Sequence, residues 1–119
     1  MKLLIVDDNA FILKVIEQML DGEGHDITAK SNVDDAIANL ETAPCDLVIT
    51  DIVMPEKDGT KLAQFVKSKK PEIPVLAITG GVENAAQDYA HYAEMFADEV
   101  LQKPLKKDEL IATIAKLAA

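Results

Sequence analysis

The feature that most narrows the fold is a set of short apolar runs that each stop on a polar residue. Leu47-Val48-Ile49-Thr50-Asp51 is the clearest. Four residues of strand character end in one carboxylate, and the loop that follows carries Pro55, which cannot extend a strand. A run with no polar alternation must be covered on both faces, as in a parallel sheet. Its terminal acid then emerges at the carboxyl edge, where open α/β sheets hold ligands. Leu3 to Val6 repeats the pattern and ends at Asp7-Asp8; Pro74 to Thr79 repeats it and ends in a hydroxyl. Glu99 to Gln102, followed by Lys103-Pro104, and a less marked run from Asp26 to Lys30 complete five strands.

Helix-period stretches separate these runs. Asn9 can cap a helix in which Ile12, Val15, Ile16 and Met19 recur at i, i+3, i+4 and i+7, with Gly22 and Gly24 ending it. Ser31-Asn32-Val33-Asp34 matches a capping box, and Val33, Ala36, Ile37 and Leu40 follow at helical spacing until Pro44. Asp58-Gly59 opens a third helix through Leu62, Phe65 and Val66, which ends in Lys67-Ser68-Lys69-Lys70-Pro71. Those lysines suit the negative end of the helix dipole better than they suit a phosphate-binding patch. Tyr89, Tyr92, Ala93 and Phe96 line a fourth helix; Leu110, Ile114 and Leu117 give the closing one its stripe. Five βα units in strict alternation predict a parallel sheet with right-handed crossovers and helices on both faces. Among doubly wound α/β sheets, five strands suit the flavodoxin-like (βα)5 order 2-1-3-4-5, whose switch point lies between strands one and three. Those strands end in Asp7-Asp8 and Asp51.

The 119 residues, 49% apolar and 28% charged, make one globular domain spanning 1–119. The net charge is −9, with twelve lysines and no arginine, which argues against nucleic-acid binding by this chain alone and against an anionic membrane surface. Cys45, the lone cysteine, rules out an internal disulfide and suits a reducing, cytoplasmic setting. It reads as a small buried hydrophobe rather than a reactive thiol. Leu3 to Val6 is too short for a signal peptide, and no stretch reaches membrane-spanning length.

The strand ends Asp7, Asp8, Asp51, Thr79 and Lys103 should crowd one rim. Singly each is ordinary: Asp is a common turn residue, Thr a common strand residue, and Lys-Pro a common surface pair. Together they make a site. Three adjacent carboxylates resist ionising together unless a cation sits among them, and an all-oxygen set with few protein ligands suits Mg2+. Lys103 and the Thr79 hydroxyl could then meet a phosphoryl group, with Asp51 as its carboxylate nucleophile. His25 and His91 lack ligand-spaced companions and read as solvated.

Leu4-Ile5-Val6-Asp7-Asp8, Asp46 to Asp51, Met54-Pro55 with Asp58-Gly59, Thr79-Gly80 and Lys103-Pro104 together resemble the receiver domain of bacterial two-component response regulators. The resemblance covers essentially the whole chain. It implies a phosphoacceptor rather than an enzyme, one that assists only its own phosphorylation and dephosphorylation. Asp51 would be phosphorylated from a phosphohistidine on a sensor histidine kinase or phosphotransfer protein. Asp8, Asp51 and the backbone carbonyl of Val53 would ligate Mg2+, and Asp7 would act mostly through water. Thr79 and Lys103 would contact the phosphoryl group, and the Lys103-Pro104 peptide would be cis. The downstream partner is a protein this sequence does not specify, and the family admits a phosphorylation-dependent dimer.

Several positions depart from the family pattern. Val100 stands where an aromatic usually reports on the threonine, so a muted rearrangement is expected, carried by the loop after Thr79 and the fourth helix rather than by strand five. Val53 and Gly81, at the positions that tune phosphoryl lifetime, offer no side chain to orient water. Phe96 replaces a common glycine, and the three aromatics of the fourth helix cannot all be buried. Lys57-Asp58-Gly59-Thr60 is similar to the D-x-D-G-T signature of haloacid-dehalogenase-like phosphatases, but Asp51 does not stand two residues before its second acid. A flavodoxin-like FMN carrier would place a phosphate against Asp7-Asp8, which would repel it. The second expectation is a receiver-like interaction module that is not phosphorylated. With no output domain after Ala119, the sequence fits either a single-domain regulator or a receiver taken from a longer protein.

Overall fold

The computed structural model describes residues 1–52, 59–80 and 96–118. Strands β1 (Lys2–Val6), β2 (Asp26–Lys30), β3 (Leu47–Asp51), β4 (Val75–Thr79) and β5 (Glu99–Gln102) form one sheet in the order β2-β1-β3-β4-β5. Every neighbouring pair is parallel. Four helices lie among the described residues: α1 (Ala10–Met19), α2 (Val33–Thr42), α3 (Gly59–Lys69) and α4 (Lys107–Ala118). Of the helix expected through Tyr89, Tyr92, Ala93 and Phe96, only Phe96 lies among them, in a turn before β5 and half-buried; Val53, Met54, Pro55, Asp58, Gly81 and His91 also fall outside.

The apolar runs are buried as a doubly covered sheet requires: all five residues of β3 and all five of β4 are buried. On one face Leu3, Ile5, Leu47, Ile49, Leu76 and Ile78 pack with Leu13 and Ile16 of α1 and with Leu110 and Ile114 of α4. On the other, Leu4, Val6, Val48 and Val75 pack with Val33, Ala36 and Leu40 of α2 and with Leu62, Ala63 and Val66 of α3. Each strand therefore sends alternate residues into two separate cores.

Two local details differ from the sequence expectation. The inward stripe of α1 is centred on Leu13, Ile16 and Leu20, with Ile12, Val15 and Met19 only half-buried beside it. Burying a leucine or isoleucine is worth about 1.5–3 kcal/mol, more than the at most about 0.7 kcal/mol that helix propensity can distinguish among ordinary residues, so tertiary docking sets the rotation. The α2 cap is Asn32 rather than Ser31. Its Oδ1 accepts from the Asp35 N–H at 2.8 Å, and its Nδ2 donates to Asp35 Oδ2 at 3.0 Å.

At the amino edge of the sheet one device appears twice. Asp46, just before β3, accepts the Lys2 N–H of β1 at 2.7 Å, and Asp98, just before β5, accepts the Val75 N–H of β4 at 2.8 Å. Each acid satisfies a strand-end donor that the ladder leaves over. The carboxyl edge carries the candidate site.

Candidate functional site

Strand alternation decides which polar residues meet. On β1, Leu3 and Ile5 face the α1/α4 core, so Asp7 continues on that side; on β3, Leu47 and Ile49 do the same, so Asp51 follows. Leu101 of β5 faces this core too, which carries Lys103, two residues on, to the same side. β1 and β3 are neighbours, so the acids at their ends meet. Thr79 has the other parity, shared with Val75 and Ala77, and comes to the rim from beneath the opposite face.

Asp7, Asp8 and Asp51 each offer a carboxylate oxygen, and these oxygens lie within 4.8 Å of one another. Asp7 and Asp51 are buried and Asp8 is exposed, so the trio opens to solvent on one side only. The Lys103 ammonium sits between two of them, 3.3 Å from Asp7 Oδ2 and 3.5 Å from Asp51 Oδ2. Burial is the main influence on Asp7 and raises its carboxyl above the ordinary range; the Asn9 N–H, which donates to Oδ1 at 2.9 Å, and the Lys103 charge pull it back, and Asp8 adds to the rise. One lysine among three acids leaves the rim negative, and a hard divalent cation with oxygen ligands fits that deficit.

Thr79 completes the rim. It is 0% exposed, and its Oγ1 has no hydrogen-bond partner among the described residues. Leaving a buried hydroxyl unpaired costs about 1–3 kcal/mol, so the group is placed for an acceptor that arrives from outside. The Thr79 carbonyl accepts the Lys103 N–H at 2.7 Å, which ties the ends of β4 and β5 together; the Lys103-Pro104 peptide is cis.

Two glycines and a threonine contribute in ways the sequence does not reveal. A Cβ on Gly80 would lie 2.8 Å from Lys103 Cβ and 3.1 Å from its Cγ, so the glycine lets the lysine stem lie flat against β4's exit. A Cβ on Gly59 would overlap the Asp51 carbonyl oxygen and lie 2.9 Å from Thr50 Oγ1. The first residue of α3 is thus seated on the end of β3. Thr50, fully buried, donates its hydroxyl to the Asp51 carbonyl at 2.9 Å. No local pattern marks the approach of Gly59 to Asp51 or of Gly80 to Lys103.

The other candidates stay apart from the rim. Cys45 is half-buried; its Sγ donates to the Leu47 carbonyl at 3.3 Å, and burial pushes the thiol's pKa up, away from the thiolate. His25 meets the amino terminus of Met1 at 3.3 Å, at the opposite edge of the sheet. Val100 is half-buried against Ile52 and Ala77. No helix among the described residues is long and apolar enough to cross a membrane.

The comparisons agree with this geometry. The profile of the response regulator receiver domain matches residues 3–115. Transcription factor SKN7 of Candida albicans is 31% identical over 95% of this chain and 20% of its own length. The transcriptional regulatory protein DltR of Streptococcus agalactiae is 29% identical over 96% of this chain and 50% of its own. The chain therefore spans between about a fifth and a half of these relatives. A CheY-like receiver domain protein from Methanospirillum hungatei superposes with a TM-score of 0.86 at 26% identity, covering 98% of this chain and 92% of that one. The signal receiver domain of a signal transduction histidine kinase from Syntrophus aciditrophicus gives 0.86 at 27%, covering 98% and 89%. A receiver-fold sheet, an acidic rim on its carboxyl edge and a profile match over nearly the whole length place this chain in the family of response regulator receiver domains.

Proposed function

We propose that residues 1–119 act as one phosphoacceptor switch in which Asp51 takes a phosphoryl group from a phosphohistidine on a sensor histidine kinase or phosphotransfer protein. The observation that carries this reading is the convergence of Asp7, Asp8 and Asp51 around the ammonium of Lys103. In the transfer an Asp51 oxygen forms a bond to phosphorus as the bond from phosphorus to the donor nitrogen breaks. The electron pair leaves with the imidazole, and an acyl phosphate remains. Asp7, Asp8 and Asp51, with the Val53 carbonyl, would hold Mg2+, which supplies charge neutralisation for the phosphoryl oxygens. Lys103 stands beside Asp51 and can give up its contact there to pair with a phosphoryl oxygen. The Thr79 hydroxyl, which has no partner among the described residues, donates to another.

A dianion on Asp51 thus draws Thr79, and the Gly80 backbone with it, toward the rim. Val100 cannot swing as an aromatic would, so the response runs from the Thr79 loop into the segment between β4 and β5 and changes how a downstream protein binds. Incubation with acetyl phosphate and Mg2+ followed by intact mass tests the acceptor. One Mg2+-dependent phosphate adduct is expected in the parent and none in Asp51→Asn. An adduct in both, or in neither, would refute the assignment.

A further inference from the structure

We propose that Thr50 is a positioning residue for the phosphoacceptor, its hydroxyl holding the Asp51 peptide in the orientation that aims the carboxylate at phosphorus; this rests on the reading of Asp51 given above. The β1–β3 register ends at Val6↔Thr50, so β1 no longer guides β3 at Asp51 itself. On the other flank the β4 ladder runs on through Asp51, which pairs with Ile78, and the Ile52 N–H donates to the Ile78 carbonyl at 3.0 Å. The carbonyl of that same peptide, Asp51's, accepts the Thr50 hydroxyl at 2.9 Å. Gly59 closes over the same carbonyl, and its N–H donates to the Ile52 carbonyl at 2.9 Å. The peptide that joins the acceptor to Ile52 is therefore held at its N–H by β4 and at its carbonyl by the Thr50 hydroxyl, with Gly59 packed against that carbonyl.

Packing does not explain the hydroxyl. Thr50 has the parity of Val48, whose side chain packs in the α2/α3 core, and its partners across the sheet are Val6 of β1 and Ala77 of β4. Valine would fill that space with no polar atom to satisfy. What only the hydroxyl supplies is a directed bond to one carbonyl. Rotation of that peptide would move the Asp51 oxygens relative to Lys103 and Asp7, and in-line transfer is sensitive to small misplacement of the nucleophile. When the acceptor attacks acetyl phosphate, its oxygen bonds to phosphorus as the bond to acetate breaks and the electron pair departs with acetate. Thr50 touches none of these atoms and acts through the Asp51 backbone.

The test compares Thr50→Val with Thr50→Ser in acetyl phosphate and Mg2+, with the phosphorylation rate followed by intact mass against donor concentration. Val should lower the maximal rate constant about tenfold, leave the half-saturating donor concentration unchanged and keep the protein folded. Ser, which keeps the hydroxyl, should recover the parent rate to within about threefold of it. A Val rate equal to the parent's, or a Ser rate as low as Val's, would overturn the proposal while leaving Asp51 as acceptor. A parent that takes no phosphate would overturn both. Should Val not fold, Thr50→Ala against Thr50→Ser makes the same comparison with side chains that are both smaller than the native one.

Discussion

Replacing Thr79 with valine should stabilise the protein at rest and remove its response to a phosphoryl group. Thr79 is 0% exposed, at the end of a strand buried along its whole length, and its hydroxyl has no partner among the described residues. The resting protein therefore bears the desolvation cost of that group, about 1–3 kcal/mol. Valine keeps the branched shape and the strand preference, and it replaces the hydroxyl with a methyl whose burial adds about 0.8 kcal/mol. The sum is discounted because the threonine is a rim residue, where slight relaxation can admit water. A net gain of about 1–2 kcal/mol remains, which corresponds to about 3–8 °C in Tm for a domain of this size. Urea unfolding in EDTA, monitored by circular dichroism, measures it. Repeating the titration with Mg2+ and fluoroberyllate adds a mimic of the phosphoryl group, whose fluorines accept hydrogen bonds. The mimic should stabilise the parent by at least about 1 kcal/mol more than it stabilises Thr79→Val, because only the parent gains a bond to a waiting donor. If valine lowered the resting stability, the hydroxyl would have a partner already. If both proteins gained equally from the mimic, Thr79 would not be the group that senses it.

The remaining predictions concern the neighbours of Asp51. Asp7 has a raised pKa, chiefly from burial, so the folded protein holds that proton more tightly than the unfolded chain does. The parent should then lose stability as pH climbs from the unfolded value near 3.8 through the raised folded one. In Mg2+-free urea titrations Asp7→Asn should be more stable than the parent at neutral pH, with the gap closing as the pH falls toward that lower limit; a gap that widens in acid would reverse the assignment of burial as the main cause. Gly80→Ala puts a methyl against the Lys103 stem. It should cost about 1–3 kcal/mol in urea unfolding and slow Asp51 phosphorylation about tenfold; a full-rate, fully stable Gly80→Ala would show that the lysine does not depend on that close contact.

Why some of this was visible in the sequence and some was not follows from what each residue answers to. β3 and β4 are wholly buried, so hydrophobic content alone marked them, and Asp51 and Thr79 stood out because they end such runs. Their convergence with Asp7 and Lys103 needed only strand order and alternation, and both follow from the βα rhythm. The rotation of α1 answers instead to how a helix settles on a sheet. Of the stripe Ile12, Val15, Ile16 and Met19, only Ile16 is central to the core; Leu13 and Leu20, which fit helical spacing with it equally well, take the other inward places. Ser31 and Asn32 are both competent caps, and the choice falls to Asn32 because the chain is still extended there, at φ −153°. Gly59 and Gly80 answer to contacts made across the fold, a helix start resting on a carbonyl and a lysine stem against a strand exit, whereas Thr50 answers to the carbonyl of the next residue. Gly59 and Gly80 stand in the Asp58-Gly59 and Thr79-Gly80 pairs of the family resemblance, but those pairs do not show what the glycines touch, and Thr50 reads as an ordinary β-branched strand residue. The groups that carry charge in such a site can thus be read from strand ends, whereas those that set their geometry appear only once the chain is folded.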